Sequence, residues 1–243
     1  MGKKKILLCV EGEKTEEKLL QYLFEIYGLD LDFTIVPYRT NIHQLYRQMF
    51  EDPDPASLDL LQVLKERERD PEKHALLSER YTDIFLVFDF EPQDTGYSLD
   101  HLAQMLEFFC ESTDAGKLYL NYPMVEAFYH LSKIPDPAFS DRCVPLSLLH
   151  TKGEYKKLVN AECVTPKFSR FAKTKAECDT VLRSHRNKAW KLTGAAPSSR
   201  QFPPQSDILR AEAALLDEMQ LISILSTVGS FILEYDESLV EEA

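Results

Sequence analysis

Two short acidic runs carry the residues most able to do chemistry. The first is Glu11-Gly12-Glu13-Lys14-Thr15-Glu16 and the second is Asp89-Phe90-Glu91. Each directly follows a short apolar stretch, Ile6–Val10 and Ile84–Phe88. Carboxylates gathered in one cleft repel unless a cation compensates them or one carboxyl keeps its proton. Ligands made of oxygen alone suit a hard ion, so Mg²⁺ or Mn²⁺ is the expected cofactor. Such an ion polarises a phosphate and activates water for in-line displacement. The two-residue spacing of Asp89 and Glu91 on extended chain predicts carboxylates that point the same way. The same residues also have a plainer structural reading, with Glu11 and Glu16 serving a helix start and Asp89 opening a turn.

Elements of a particular kind must position these groups. Ile6–Val10 and Ile84–Phe88 read as strands buried on both faces of a parallel sheet. Thr15 is placed to cap a following helix with Glu16 and Glu17 in its first turn, Leu19, Leu20, Leu23, Phe24 and Tyr27 recur at helical spacing, and Gly28 ends it. Further strands are expected at Phe33–Tyr38 and Lys117–Leu120, with helices at Ile42–Phe50, Leu58–Asp70, Ser98–Ser112 and Pro123–Leu131. Asp52-Pro-Asp-Pro is a breaker. This alternation predicts an α/β domain over residues 1–135, a mainly parallel sheet flanked by helices. Residues 136–243 read as a mostly helical extension, in which Ile208, Leu215, Met219, Ile222 and Leu225 form an apolar stripe and 195–204 a loop. In an open parallel sheet, ligands bind beyond the carboxyl ends of the strands, which is where both acidic runs fall.

Composition narrows the class. The 243 residues carry 40 Asp+Glu against 28 Lys+Arg, a net charge of −12, with 44% hydrophobic residues. That suffices for a core and argues against global disorder. No apolar run approaches the ~18–20 residues of a membrane span, and the apolar stretch after the basic start stops at Glu11, too soon for a signal peptide. The 5 Cys are scattered without a paired motif, which favours a reducing cytoplasm and disfavours a cysteine zinc site. The 6 His show no ligand spacing.

Charge is unevenly spread. Residues 150–200 hold 12 Lys+Arg against 4 Asp+Glu, a net of +8, which leaves −20 for the rest of the chain. The candidates for gripping a phosphate backbone are Lys152, Lys156, Lys157, Lys167, Arg170, Lys173, Lys175, Arg183, Arg186 and Lys188. Tyr155, Phe168, Phe171 and Trp190 lie among them and could stack on unpaired bases or pack in a core. An acidic end follows, with Glu234, Asp236, Glu237, Glu241 and Glu242.

Nucleotide-binding loops do not fit. The glycine that a P-loop needs before Lys14 is Glu13, its first glycine position is Leu8, and Gly12 stands alone where a dinucleotide fingerprint needs several.

Ile6-Leu-Leu-Cys-Val-Glu-Gly-Glu-Lys-Thr-Glu16 together with Phe85-Leu-Val-Phe-Asp-Phe-Glu91 resembles the TOPRIM fold, a Rossmann-like fold shared by topoisomerases, bacterial primases and OLD-type nucleases. With Asn121-Tyr-Pro-Met-Val-Glu126, the chain is most similar to the RloB-like and abortive-infection branch. The resemblance covers about residues 4–132. It implies that Glu11 assists proton transfer or binds metal and that Asp89 leads the metal-binding pair. Glu91 stands where that pair usually has a second Asp. Glu16 and Glu126 match further acidic positions, although Tyr122 interrupts the branch's Asn-Pro motif. The implied activity is that of a Mg²⁺- or Mn²⁺-dependent nuclease acting on DNA or RNA in anti-phage defence, with Glu11, Asp89 and Glu91 catalytic and Glu16 and Glu126 supplementing the metal shell. A partner ATPase is common in that branch, this chain contains none, and a homo-oligomer stays open. The competing expectation is a catalytically inactive TOPRIM scaffold that binds or senses a protein partner. Primer synthesis or strand passage would need further domains.

Overall fold

A computed structural model describes residues 5–12, 14–29, 32–51, 59–163, 172–197 and 199–242. Strand β1 (Lys5–Val10) is followed by helix α1 (Thr15–Ile26), and β2 (Asp32–Pro37) by α2 (Ile42–Phe50). Two short helices, α3 (Leu60–Arg67) and α4 (Pro71–Leu76), lead to β3 (Asp83–Asp89). Next come α5 (Leu99–Phe108), the two-residue β4 (Cys110–Glu111) and β5 (Gly116–Tyr122). The chain continues through a 3₁₀ turn (Val125–Tyr129), β6 (Cys143–Pro145), α6 (Glu154–Glu162), α7 (Lys175–Thr193) and α8 (Gln205–Met219). It closes with β7 (Leu221–Ser223), β8 (Leu225–Ser226) and α9 (Ser230–Tyr235).

The fold is mixed α/β, with a mostly parallel central sheet in the order β2-β1-β3-β5-β4 flanked by helices. Pairings β1–β2, β1–β3 and β3–β5 are parallel. The continuous apolar runs of β1 and β3 occupy its centre, where helices cover both faces. Leu7, Cys9, Val10, Leu86 and Phe88 are fully buried there. Helix α1 packs inward through Leu19, Leu20, Leu23 and Phe24 and ends at Tyr27, with Gly28 taking the left-handed φ of +61° that closes it.

Several expectations change on the structure. Thr15 is the first helical residue rather than the cap, and Lys14 at the cap makes no side-chain hydrogen bond. The helix expected over Leu58–Asp70 is shorter, Leu60–Arg67, and a second helix begins just beyond it, where Asp70 caps Pro71 at the first position. Residues 52–58 lie outside the described residues. Pro123–Leu131 holds only the 3₁₀ turn. The apolar stripe ends early, since Met219 is 61% exposed and Ile222 and Leu225 belong to strands.

The second half of the chain also contributes to the sheet. β8 pairs antiparallel with the far end of β5, Asn121 opposite Ser226, while β4 pairs with the start of β5. β6 and β7 form a separate two-stranded ribbon. Ser226 Oγ donates to Asn121 Oδ1 at 2.6 Å, and Thr227 Oγ1 donates to the Leu120 carbonyl at 2.9 Å. The Ser226 N–H donates to His185 Nδ1 at 3.0 Å, which leaves the ring proton on Nε2 to reach the Phe128 carbonyl at 3.0 Å. Helix α7 is thereby tied to the turn that follows β5.

Candidate functional site

The carboxyl ends of β1, β2, β3 and β5 open into one cavity of about 870 Å³. The β1–α1 loop supplies Glu11, Gly12 and Lys14, and the first turn of α1 supplies Thr15 and Glu16. Arg39 and Thr40 come from beyond β2, Asp89 from the end of β3, Glu91 and Gln93 from beyond it, and Met124 from beyond β5. The opposite wall is the segment Leu149–Lys156, which ends in the first turn of α6.

The acidic side chains are recessed rather than solvated. Glu16 is 6% exposed, Asp89 7% and Glu126 4%. Glu11 Oε2 accepts the Asp89 N–H at 3.1 Å, Glu16 Oε1 accepts the Gly12 N–H at 3.1 Å, and Asp89 Oδ1 accepts the Val125 N–H at 2.8 Å. One oxygen of each group is therefore fixed by backbone, a geometry that carries the strand ends directly into the site. Gly12 is required for the second of these bonds, since a Cβ there would meet Glu16 Oε2 at 2.7 Å.

Burial and mutual repulsion dominate the electrostatics. Burial, then the Glu91 charge, push Glu11 up to about 9, against the stabilising Asp89 N–H. Asp89 lies well above the usual aspartate range through burial and the charges of Glu11, Glu16 and Glu126. Glu16 and Glu91 are likewise raised, chiefly by burial. Burial works against the charge on Lys156, but Glu126, Asp89 and Glu16 outweigh it and hold its pKa above the ordinary lysine value. Its ammonium lies 2.9 Å from Glu126 Oε1.

Asp89 and Glu91 share the cavity for a different reason from strand alternation. β3 ends at Asp89, and Glu91 takes a left-handed φ of +42°. His43 Nε2 is 3.3 Å from the Glu91 carbonyl, and Asn41 Nδ2 donates to Asp94 Oδ2 at 2.8 Å, bracing this turn. The Asn41 side chain also bonds Glu91, lowering its pKa against the effect of burial.

The donor set fits a hard divalent cation in kind. It consists of carboxylate oxygens that are buried, mutually repelling and raised in pKa, and Glu126 Oε2 is buried with no hydrogen-bond partner. As these side chains stand, no group of three or more His, Cys, Asp or Glu among the described residues is arranged to hold an ion. Binding one would require the carboxylates to turn from their present partners and shed protons.

The basic segment divides into two fates. Lys152 and Lys156 line the cavity. Lys157 is exposed on α6 beside Glu154, and Lys173 is exposed ahead of α7. Lys188 instead is buried and donates to the Phe139 and Arg142 carbonyls at 3.0 and 2.5 Å. Arg186 is buried and forks onto Glu242 at 2.6 and 3.0 Å, Lys175 pairs with Asp179, and Arg183 reaches the Glu241 carbonyl. The acidic end is thus a partner of Lys175, Arg183 and Arg186, and of these four cations Arg186 and Lys188 are buried in the fold. Lys167, Arg170, Phe168 and Phe171 lie outside the described residues. Tyr155 and Trp190 belong to the core rather than to a stacking surface, their polar atoms engaging His130 and the Gln201 carbonyl.

Arg39 and His150 were not singled out from sequence, and Lys14 was weighed only as a P-loop lysine, yet all three line the cavity. Arg39 follows β2 and obeys the same strand-end rule that picked out Glu11 and Asp89. Among the described residues, no helix is long and apolar enough to cross a membrane. No family model, curated protein or solved structure matches the chain.

Proposed function

We propose that this chain is a metal-dependent phosphodiesterase, a nuclease acting on DNA or RNA, built on a TOPRIM-like scaffold. The observation that carries the reading is the gathering of Glu11, Glu16 and Asp89, raised in pKa by burial and repulsion, beside the buried Glu126 with its unpartnered carboxylate oxygen. Such a constellation costs folding energy and is retained where a cation relieves it. Mg²⁺ or Mn²⁺ would be held by Glu11, Asp89 and Glu91, with Glu16 and Glu126 supplementing the shell. When bound, the ion supplies Lewis acidity to the phosphate and the attacking water.

The chain's own residues do the rest. Lys152 and Lys156 offset the negative field of the cavity and attract a phosphate. A role in anti-phage defence beside a partner ATPase rests on the motif resemblance alone, and a cytoplasmic setting on the scattered cysteines. The test is cleavage of labelled DNA and RNA by purified protein with Mg²⁺ or Mn²⁺, beside Glu11→Gln and Asp89→Asn. Loss of cleavage in both variants is expected; equal cleavage by them, or none by the wild type with either ion, would sink the reading.

A second reading is favoured by the Lys156–Glu126 pair, which supplies a cation from within the chain. In it the scaffold is catalytically inactive and binds or senses a protein partner, and Mn²⁺ associates only weakly with its surface.

A further inference from the structure

We infer that the cavity takes the unpaired end of one nucleic-acid strand and excludes duplexes and closed circles, an inference that rests on the nuclease reading. Three observations converge. The cavity of about 870 Å³ has the size of pockets that enclose small molecules, roughly 300–1,000 Å³, enough for a short length of a single strand. Asp89 and Glu16 are almost fully buried there and Glu11 and Glu91 partly so, so a phosphate must enter the recess to reach Asp89. Duplex binding needs a row of cations spaced along the surface, whereas Arg186 and Lys188 are buried in the fold and the partly exposed Lys175 and Arg183 are paired with Asp179 and the Glu241 carbonyl.

The cations that remain suit a strand end. Lys14 and Lys152 are exposed residues of the cavity lining, one in the β1–α1 loop and the other ahead of α6. Both can reach the backbone of an entering strand. Tyr155, the aromatic residue of this wall, is buried with its hydroxyl against His130, so it offers no face to a base. Recognition would then run through phosphates and be indifferent to sequence. In the reaction, water oxygen bonds to phosphorus and one bridging P–O bond breaks. The leaving oxygen takes up a proton, so a terminal phosphodiester gives a shortened strand and a released nucleotide.

The experiment compares one single-stranded oligonucleotide in linear form, the same sequence ligated into a circle, and a supercoiled plasmid. Binding is read by fluorescence anisotropy in Ca²⁺ and cleavage in Mn²⁺. The linear strand should bind at least tenfold more tightly than the circle and shorten progressively, while circle and plasmid persist. Lys14→Ala and Lys152→Ala should each weaken binding of the linear strand about three- to tenfold. Cutting of the circle or plasmid as fast as the linear strand, or equal binding of line and circle, would overturn the strand-end inference while leaving the nuclease reading in place. Failure to cleave any of the three would overturn both.

Discussion

The Lys156 ammonium reaches 2.9 Å from Glu126 Oε1, linking the first turn of α6 to the turn after β5 across the carboxylate cavity. That pair supplies positive charge to a group of acids that would otherwise face one another alone. Lys156→Met should leave Glu126 buried and unpaired. Because the lysine is half-exposed, the loss should be about 1 kcal/mol rather than the roughly 3–5 kcal/mol of a fully buried broken pair. Thermal unfolding in EDTA at pH 8 measures it, and Lys156→Arg should recover most of the loss.

The carboxylates also set a pH dependence. Glu11, Glu16, Asp89 and Glu91 all have folded-state pKa values above their unfolded ones, Glu11 reaching about 9. Between the two values the folded chain binds more protons than the unfolded chain, so the Glu11 contribution is fully present below pH ~4.5 and is lost as pH rises through about 9, and the other three act in the same direction. Glu11→Gln removes its share of that penalty. The variant should unfold at higher temperature than the wild type at pH 9, by an amount on the order of 2 kcal/mol, with the difference shrinking toward pH 5. The difference between the two proteins separates this effect from Glu212, whose burial raises it to about 8 elsewhere in the fold.

His185 joins the two halves of the chain. Burial pushes its pKa down to about 3, so it is neutral at ordinary pH, accepting from Ser226 N–H and donating to the Phe128 carbonyl. His185→Leu strands both backbone groups and should cost about 1–3 kcal/mol for each. Urea unfolding should show a single lowered transition, since β8 and α7 are part of the structure around β5. A separate transition for residues 136–243 would contradict that integration.

Lys152 and Arg186 should behave oppositely although both come from the basic segment. Lys152→Ala should weaken binding of a single strand and lower the salt slope by about 1, as expected for the loss of one phosphate contact. Arg186→Ala should leave the slope unchanged and lower stability, because its guanidinium holds Glu242 and the Arg200 carbonyl. Anisotropy titrations over salt, with melting curves for each variant, separate the two effects.

Much of this was legible from local pattern. The apolar runs of β1 and β3 fixed the sheet centre, and the strand-end rule brought Glu11, Glu16, Asp89 and Glu91 to one cavity. Their mutual orientation was not legible, because it depends on the left-handed turn at Glu91 and on backbone donors from other strands. The fate of the basic segment was hidden for a related reason. Charge counts do not say which cations fold inward, and the partners of Arg186 and Lys188 lie some fifty positions away in sequence. The contribution of β8 escaped because two residues are too few to show a period.

The central claim, that the recessed carboxylates form a divalent-cation site, is tested most directly by calorimetric titration of Mn²⁺ into the wild type and Asp89→Asn near pH 7, repeated in buffers of different ionisation enthalpy. The wild type should bind Mn²⁺ saturably and release protons as the raised carboxyls ionise, and the variant should lose at least tenfold in affinity. Saturable binding unchanged by Asp89→Asn, or no binding beyond weak surface association, would contradict the claim.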